Sequence, residues 1–459
     1  MVAFFGKIAS MKNNFFKLLH QSSKSKARLG KINTAHGIIN TPAFVPVGTK
    51  GSIKSLTPQL IKDIGVQVAF VNTYHLVTHP GVKIIAKAGG IHKFANLDIP
   101  LMSDSGGFQV FSLGNSTVIP AKAGIYSNKS SIGILATQHK GENQPAVVKI
   151  SEDGVKFRSI FDGELIEFTP EKSMEFQRQI GADINMAFDE CISSGADYEY
   201  TKKATERTHR WLERCVDYVK CQNLNVKAED QEIDCQLKSS NYQLPTTHYP
   251  QFLYGIIQGG IFEDLRKKSA EFVVSQNTVG IAIGGVSVGE TKKEMREQIA
   301  WVAGYLPKNK PVHLLGVGQI DDIVDLVKHG IDTFDCVEPT RKARMGELYK
   351  SEEILSRVSI PSVLASNNSP RLRAVGIPST RATSSDYNLD IYKGIYRNNL
   401  ESVDENCDCY ACQNFTKAYL HHLFKQHELL GYTLATYHNL WVMEKLFEKI
   451  RDLIIKDSI

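Results

Sequence analysis

The sequence predicts an α/β fold: a (β/α)8 barrel with an inserted C-terminal zinc-binding subdomain and three polar loop insertions. Three observations predict it. Short apolar runs recur eight times along the chain, several of them followed by segments of helical period. Polar residues fall at the ends of these runs rather than inside them. Three cysteines crowd into residues 407–412, ahead of several histidines.

The runs are PAFVPVG (42–48), VAFVNTY (68–74), PLMSDSGG (100–107), INMAFDE (184–190), FLYGIIQGG (252–260), VGIAIGGVSVG (279–289), VHLLGVG (312–318) and TFDCVEPT (333–340). Segments such as FEDLRKKSAEFVV (262–274) and KKEMREQIAWVAGYL (292–306) repeat their apolar residues at helical spacing. Short buried strands alternating with helices make a parallel sheet, and eight such units suit the closed TIM-barrel arrangement. A doubly wound open sheet fits the same pattern, because counting strands does not prove closure.

Three polar stretches without clear period interrupt the pattern, near 114–145, 221–249 and 351–390. They are long for connections inside a compact domain and read as surface insertions. VVKISEDGVKF (147–157) reads instead as a hairpin, because Asp-Gly separates two β-rich runs. The expected organisation is an N-terminal extension (1–26) and a catalytic barrel (27–346, with the first two insertions). A variable insertion and connector (347–400) and a zinc-binding, helical C-terminal region (401–459) follow. Met11 is a second candidate start.

Composition is that of an ordinary globular protein, 42% hydrophobic and 22% charged, with net charge +5. Basic residues concentrate locally: residues 341–381 hold eight Lys or Arg against three Asp or Glu. No run reaches the roughly 18 apolar residues of a membrane span. The N-terminus lacks a signal-peptide pattern. A cytoplasmic location is therefore expected, and eight cysteines in so long a chain do not suggest a disulfide scaffold.

Cys407, Cys409 and Cys412 form C-x-C-x-x-C, and His421, His422, His427 and His438 follow. Three thiolates this close suit one tetrahedral ion, and a Cys3His site would be closed, hence structural. The plainer reading is three unrelated reduced thiols. In SDSGGFQVFSL (103–113), Asp104 precedes two glycines that let backbone approach a ligand, although a capped turn explains the motif equally well. Asp189 and Cys191 end one run and Gln258 ends another; a carboxylate and an amide together can read a purine edge. Gly284 and Gly285 would add backbone groups, or make an ordinary turn. Asp335 ends the last run, and Arg341, Lys342 and Arg344 follow. A carboxylate nucleophile beside phosphate-binding cations is what attack on a nucleic-acid sugar needs. A solvated basic loop is the alternative.

Together SDSGGFQVFSL, NTYHL (72–76), MAFDEC (186–191), GIIQGG (255–260), GGVSVGE (284–290), LLGVGQIDDI (314–323), FDCVEPTRKAR (334–344) and CDCYAC (407–412) resemble the bacterial-type tRNA-guanine transglycosylases. The resemblance runs from about Ala27 to about Ile454, outside the insertions. It implies that Asp335 is the nucleophile and Asp104 the general acid/base. It assigns base binding to Asp189, Gln258, Gly285, Ser105, Gln109, Cys191 and Val286, with Phe108 stacking on the base and Leu315 covering its other face. Arg341 and Arg344 match tRNA-binding positions, and Cys407, Cys409, Cys412 and His438 match the ligands of one zinc ion per chain. Gln319 stands where many relatives place Lys.

The implied partners are tRNAs with a GUN anticodon, the queuosine precursor preQ1, guanine and a second copy of the chain. Branches of the family insert preQ1, queuine or an archaeosine precursor, and Val288 and Cys191 resemble the bacterial pocket, whose bulk excludes queuine. The alternatives are an inactive RNA-binding homologue, against which Asp104 and Asp335 argue, a queuine-inserting enzyme, and an unrelated barrel glycosidase that would leave the cysteine motif unexplained.

Overall fold

All eight apolar runs form strands, and the strands close into a ring. In the computed structural model, residues 15–109, 147–159, 163–225, 251–358 and 387–459 are described. An antiparallel sheet comes first: β1 (Phe16–Gln21), β2 (Arg28–Thr34) and β3 (Gly37–Thr41). The barrel begins with β4 (Ala43–Pro46), β5 (Ala69–Val71) and β6 (Leu101–Ser103). A second antiparallel sheet interrupts it: β7 (Val147–Ile150), β8 (Val155–Arg158) and β9 (Leu165–Phe168). The barrel resumes with β10 (Ile184–Met186), β11 (Phe252–Ile257), β12 (Gly280–Ile283), β13 (Val312–Leu314) and β14 (Thr333–Cys336). Two short strands, β15 (Glu347–Tyr349) and β16 (Asn388–Asp390), pair antiparallel beyond it.

The parallel order β4-β14-β13-β12-β11-β10-β6-β5 brings the first two strands to the two edges. A parallel bridge between Val47 and Phe70, with Gly48 N–H donating to Phe70 O at 2.7 Å, joins them. The open-sheet alternative is thereby excluded. Alternation along each strand divides the core in two. Val45, Phe70, Met102, Ile184, Met186, Tyr254, Ile256 and Ala282 form one cluster inside the ring. Phe44, Val71, Leu101, Leu253, Ile257, Ile283, Leu314 and Phe334 belong to the larger cluster shared with the surrounding helices.

The segment 1–26 is not wholly an extension. Phe15 is buried and stacks on Phe252, the first residue of β11, at 4.0 Å between ring centroids. β1 pairs along β2, so residues from Phe15 onward help plug the N-terminal end of the barrel. Met11 lies outside the described residues.

The expected hairpin at 147–157 is present as β7 and β8, extended by β9. The stretch 114–145 lies outside the described residues. The other two polar stretches have structured edges. Helix Tyr198–Asn225 runs into 221–249, while helix Ser351–Val358 and β16 occupy the ends of 351–390. Two helical turns with Ile354 and Val358 buried carry too few apolar positions to stand out by period.

The cysteine-bearing segment is inserted between β14 with its short helix (Glu338–Arg344) and the long helix Leu429–Ile455. That long helix packs on the barrel flank through Phe447, whose ring lies 6.2 Å from Phe44 and 5.9 Å from Phe334. Among the described residues no helix is long and apolar enough to cross a membrane.

Candidate active site and metal centre

Parallel strands all end at one rim of a barrel. Asp104 directly follows β6, Asp189 lies three residues past β10, Gln258 directly follows β11, Gly284 and Gly285 follow β12, and Asp335 is the third residue of β14. The fold therefore brings together at one rim residues that are far apart in sequence.

Asp335 is almost fully buried and held through one oxygen. Its Oδ1 lies 3.1 Å from His313 Nε2 and accepts from Gly316 N–H at 2.9 Å. His313 is wholly buried on β13, with Nδ1 2.9 Å from Thr333 Oγ1. With the Asp335 carboxylate accepting from Nε2–H, Nδ1 is placed to accept from the Thr333 hydroxyl. No described residue hydrogen-bonds Asp335 Oδ2. His313 was missed in the sequence, where it reads as one more residue of a buried strand.

Asp104 sits in a cradle built by NTYHL. Asn72 Nδ2 donates to its Oδ2, and Thr73 N–H and Gly106 N–H donate to its Oδ1 at 2.7 and 3.2 Å. Asn72 and Thr73 begin the helix Thr73–Thr78, so the cradle is a helix N-terminus. Burial pushes the Asp104 carboxyl up to about 7; the two backbone donors oppose the rise, and the charges of Asp335 and Asp189 add to it. Asp104 therefore exchanges a proton near neutral pH.

Asp189 accepts from Ser105 Oγ at 3.0 Å and from Gln258 Nε2 at 2.7 Å. Burial raises it to about 6, against those two bonds. The other amide atom, Gln258 Oε1, is buried without a hydrogen-bond partner among the described residues. A Cβ on Gly285 would lie 2.2 Å from that oxygen, and Gly285 has φ +61°, so position 285 requires glycine twice over. Burial pushes the Cys191 thiol up to about 12, which keeps it neutral and a poor nucleophile. Val286 is buried, and Val288 N–H donates to Glu290 at 2.9 Å. Phe108 is exposed, Gln109 Oε1 is another buried acceptor without a partner among the described residues, and Leu315 packs against the barrel interior.

Arg341 and Arg344 project from the helix after β14, with Arg344 Nη1 donating to Thr340 O at 2.6 Å. Lys342 is diverted: it pairs with Glu338 at 3.0 Å and lies over the Tyr349 and Tyr387 rings. Lys54 joins the cationic group instead. Burial lowers its pKa, and Arg344, Lys50 and Arg341 lower it further. Gln319 caps helix Ile320–Leu326 without a side-chain bond.

Cys407, Cys409 and Cys412 converge on His438, their Sγ atoms 3.6, 3.5 and 3.3 Å from its Nδ1. A tetrahedral ion bonded to sulfur at ~2.3 Å and nitrogen at ~2.0 Å sets those atoms ~3.6 Å apart, so the four residues fit one metal ion. His438 Nε2 lies 2.7 Å from Tyr349 O, which fixes the proton there and leaves Nδ1 as ligand. Of the candidate histidines, His421 is turned away to Ile391 O at 2.6 Å.

A second cluster, His36, His92 and Asp183, lies next to the N-terminal ends of β6 and β10. The two imidazoles stack, centroids 3.4 Å apart and 11° from parallel, and each reaches a different Asp183 oxygen, at 2.8 and 3.3 Å. Parallel rings aim their in-plane nitrogens side by side, not at one point. The cluster is a clamp rather than a coordination sphere.

A sequence model of the family described as queuine tRNA-ribosyltransferase matches residues 22–459. The chain is 39% identical to the queuine tRNA-ribosyltransferase of Thermoanaerobacter pseudethanolicus, over 97% of this chain and 94% of that one. It is 38% identical to that of Halothermothrix orenii, over 97% and 94%. It is 39% identical to that of a Roseiflexus species, over 96% of each chain.

Proposed function

The chain belongs to the queuine tRNA-ribosyltransferase family and is a tRNA-guanine transglycosylase, and from that premise we propose that it replaces the wobble guanine of GUN-anticodon tRNAs by preQ1 through a covalent aspartyl-ribosyl intermediate. The observation that carries the reading is the asymmetric hold on Asp335, whose bonds to His313 and Gly316 both fall on Oδ1.

In the first displacement, Asp335 Oδ2 attacks C1′ of the ribose. The C1′–N9 bond breaks, its electron pair leaves with guanine, which takes a proton at N9 from Asp104, and a C1′–O bond to Asp335 forms. In the second, Asp104 takes the N9 proton of the incoming base. That base attacks C1′ and the Asp335 carboxylate departs. Two inversions give net retention, as in retaining glycosidases. The pKa of about 7 at Asp104 supports its use in both directions.

Asp189, Gln258 and Gly285 read the base edge, with Ser105, Gln109 and Val286 around them; Phe108 and Leu315 cover its faces. Arg341 and Arg344 hold the anticodon loop, whose unpaired bases splay out at small cost. Cys407, Cys409, Cys412 and His438 would hold one structural zinc ion, which supplies no chemistry to the exchange. We place the enzyme in the cytoplasm as a homodimer.

The test is covalent capture. Enzyme incubated with cognate unmodified tRNA and a base analogue that stalls turnover should give a shifted band on a denaturing gel, absent in Asp335→Ala. A shift that survives in that variant overturns the assignment.

A further inference from the structure

The barrel buries two arginines in opposite ways. Arg28, at the plugged end, meets the Asp332 carboxylate at 2.5 and 3.1 Å, an ordinary compensated pair. Arg266 is fully buried, and among the described residues no carboxylate hydrogen-bonds it. Its Nε donates to Gly260 O at 2.8 Å, Nη1 to Gly284 O at 2.6 Å, and Nη2 to Gly285 O at 2.6 Å and Gln298 Oε1 at 2.7 Å. Burial lowers its pKa to about 10, so it stays charged at neutral pH. A buried charge with no carboxylate bonded to it is expensive, and the charge of Glu290 offsets that cost only through space. Arg266 lies directly behind the turn that faces Gln258.

We propose that Arg266 is a positioning residue for purine recognition, which fixes the Gly284–Gly285 turn and polarises the Gly285–Val286 peptide toward a base that carries negative charge as it leaves. In a trans peptide the C=O and N–H point in opposite directions. Gly284 O and Gly285 O point at Arg266, so the N–H groups of Gly285 and Val286 point away from it. Gly285 N–H meets the Cys191 sulfur, and no described residue accepts from Val286 N–H. A cation bonded to the carbonyl end of each peptide strengthens the donor at the other end. Fixed donors aimed at developing charge are how sites stabilise such a leaving group.

The same helix, Glu263–Ser275, also holds Gln258. Ser269, one turn after Arg266, accepts from Gln258 N–H at 3.1 Å and lies 3.0 Å from His209 Nε2. One buried polar helix face therefore sets both the amide and the turn.

The proposal rests on the reading of this rim as a purine site, and the experiment separates the two. Guanine exchange is measured with purified wild type, Arg266→Lys and Arg266→Gln, varying guanine and tRNA independently, with thermal melting as a folding control. In Arg266→Gln we expect the KM for guanine to rise about tenfold or more and kcat to fall, with the KM for tRNA within about twofold of wild type. Arg266→Lys should recover part of both losses. Should the Arg266 variants not fold, Gln298→Ala removes one anchor of the guanidinium, and a rise of about threefold in guanine KM alone is expected. Unchanged guanine KM in folded variants, or equal rises for guanine and tRNA, overturns the inference. Absence of exchange in wild type overturns the functional reading instead.

Discussion

Nε2 of His313, wholly buried on β13, lies 3.1 Å from Oδ1 of Asp335 on β14. The two residues are neighbours only because β13 and β14 pair in parallel, His313 opposite Thr333. Thr333 then fixes the ring from its other side, so one strand pair orients the carboxylate before any substrate arrives.

Replacing His313 should therefore cost turnover more than binding. A hydrogen bond to a charged group is worth about 1.5–3 kcal/mol. In His313→Leu we expect kcat to drop roughly tenfold or more while the KM for guanine changes little. Steady-state exchange decides, and a KM effect without a kcat effect would place His313 in base binding.

The hold on Asp104 sets a pH limit. Asp104 titrates near 7 and must be ionised in the covalent intermediate to take a proton from the incoming base, so where that second step limits turnover kcat should rise with pH through that value. Asn72 donates to the ionised form. Its removal disfavours that form, and Asn72→Ala should move the acidic limb of kcat to higher pH. A limb that stays in place, or moves down, contradicts the role given to Asp104.

Base choice should follow pocket volume. On the proposed reading Cys191 and Val288 wall the base pocket, and their bulk should admit guanine and preQ1 and exclude the cyclopentenediol of queuine. Queuine should compete with guanine at least about 100-fold less well than preQ1, a difference of nearly 3 kcal/mol. Efficient incorporation of queuine would reverse the assignment to the bacterial branch.

At the metal centre, Cys409→Ser should lose the ion and lower the melting temperature, because binding energy at a closed site is folding energy. Elemental analysis and thermal denaturation on the same preparation check it. One metal ion per chain retained in the variant would mean that the ligand set is wrong.

The clamp at the other end of the barrel should be structural. Burial raises Asp183, but the bonds and charges of His36 and His92 more than reverse this and lower it to about 2. The folded value lies below the unfolded one. The clamp's contribution is thus present above about pH 4 and lost as pH falls toward 2. Asp183→Asn should be less stable than wild type at pH 7 and keep wild-type kcat per folded molecule. Equal stability of the two proteins at neutral pH would remove the clamp from the fold's energetics.

Some of this was determined by the sequence alone, wherever the cause is local. A strand buried on both faces must be a continuous apolar run, so all eight barrel strands were legible. Chemistry at strand ends was legible because polar groups cannot sit inside those runs, which singled out Asp104, Asp189, Gln258 and Asp335. The cysteine triad was legible because its members lie within six residues. Tertiary structure decided the rest, because its causes join distant segments. Ring closure depends on Val47 meeting Phe70. The choice of His438 over His421 depends on which backbone carbonyl each imidazole reaches, Tyr349 O or Ile391 O. Lys342 left the basic strip because Glu338 sits one helical turn before it and two tyrosine rings lie beneath. In the sequence Arg266 lies within a helical segment and His313 within an apolar run, and nothing local marks either one. The barrel buries each against distant partners, as far as 32 residues away for Arg266 and 22 for His313.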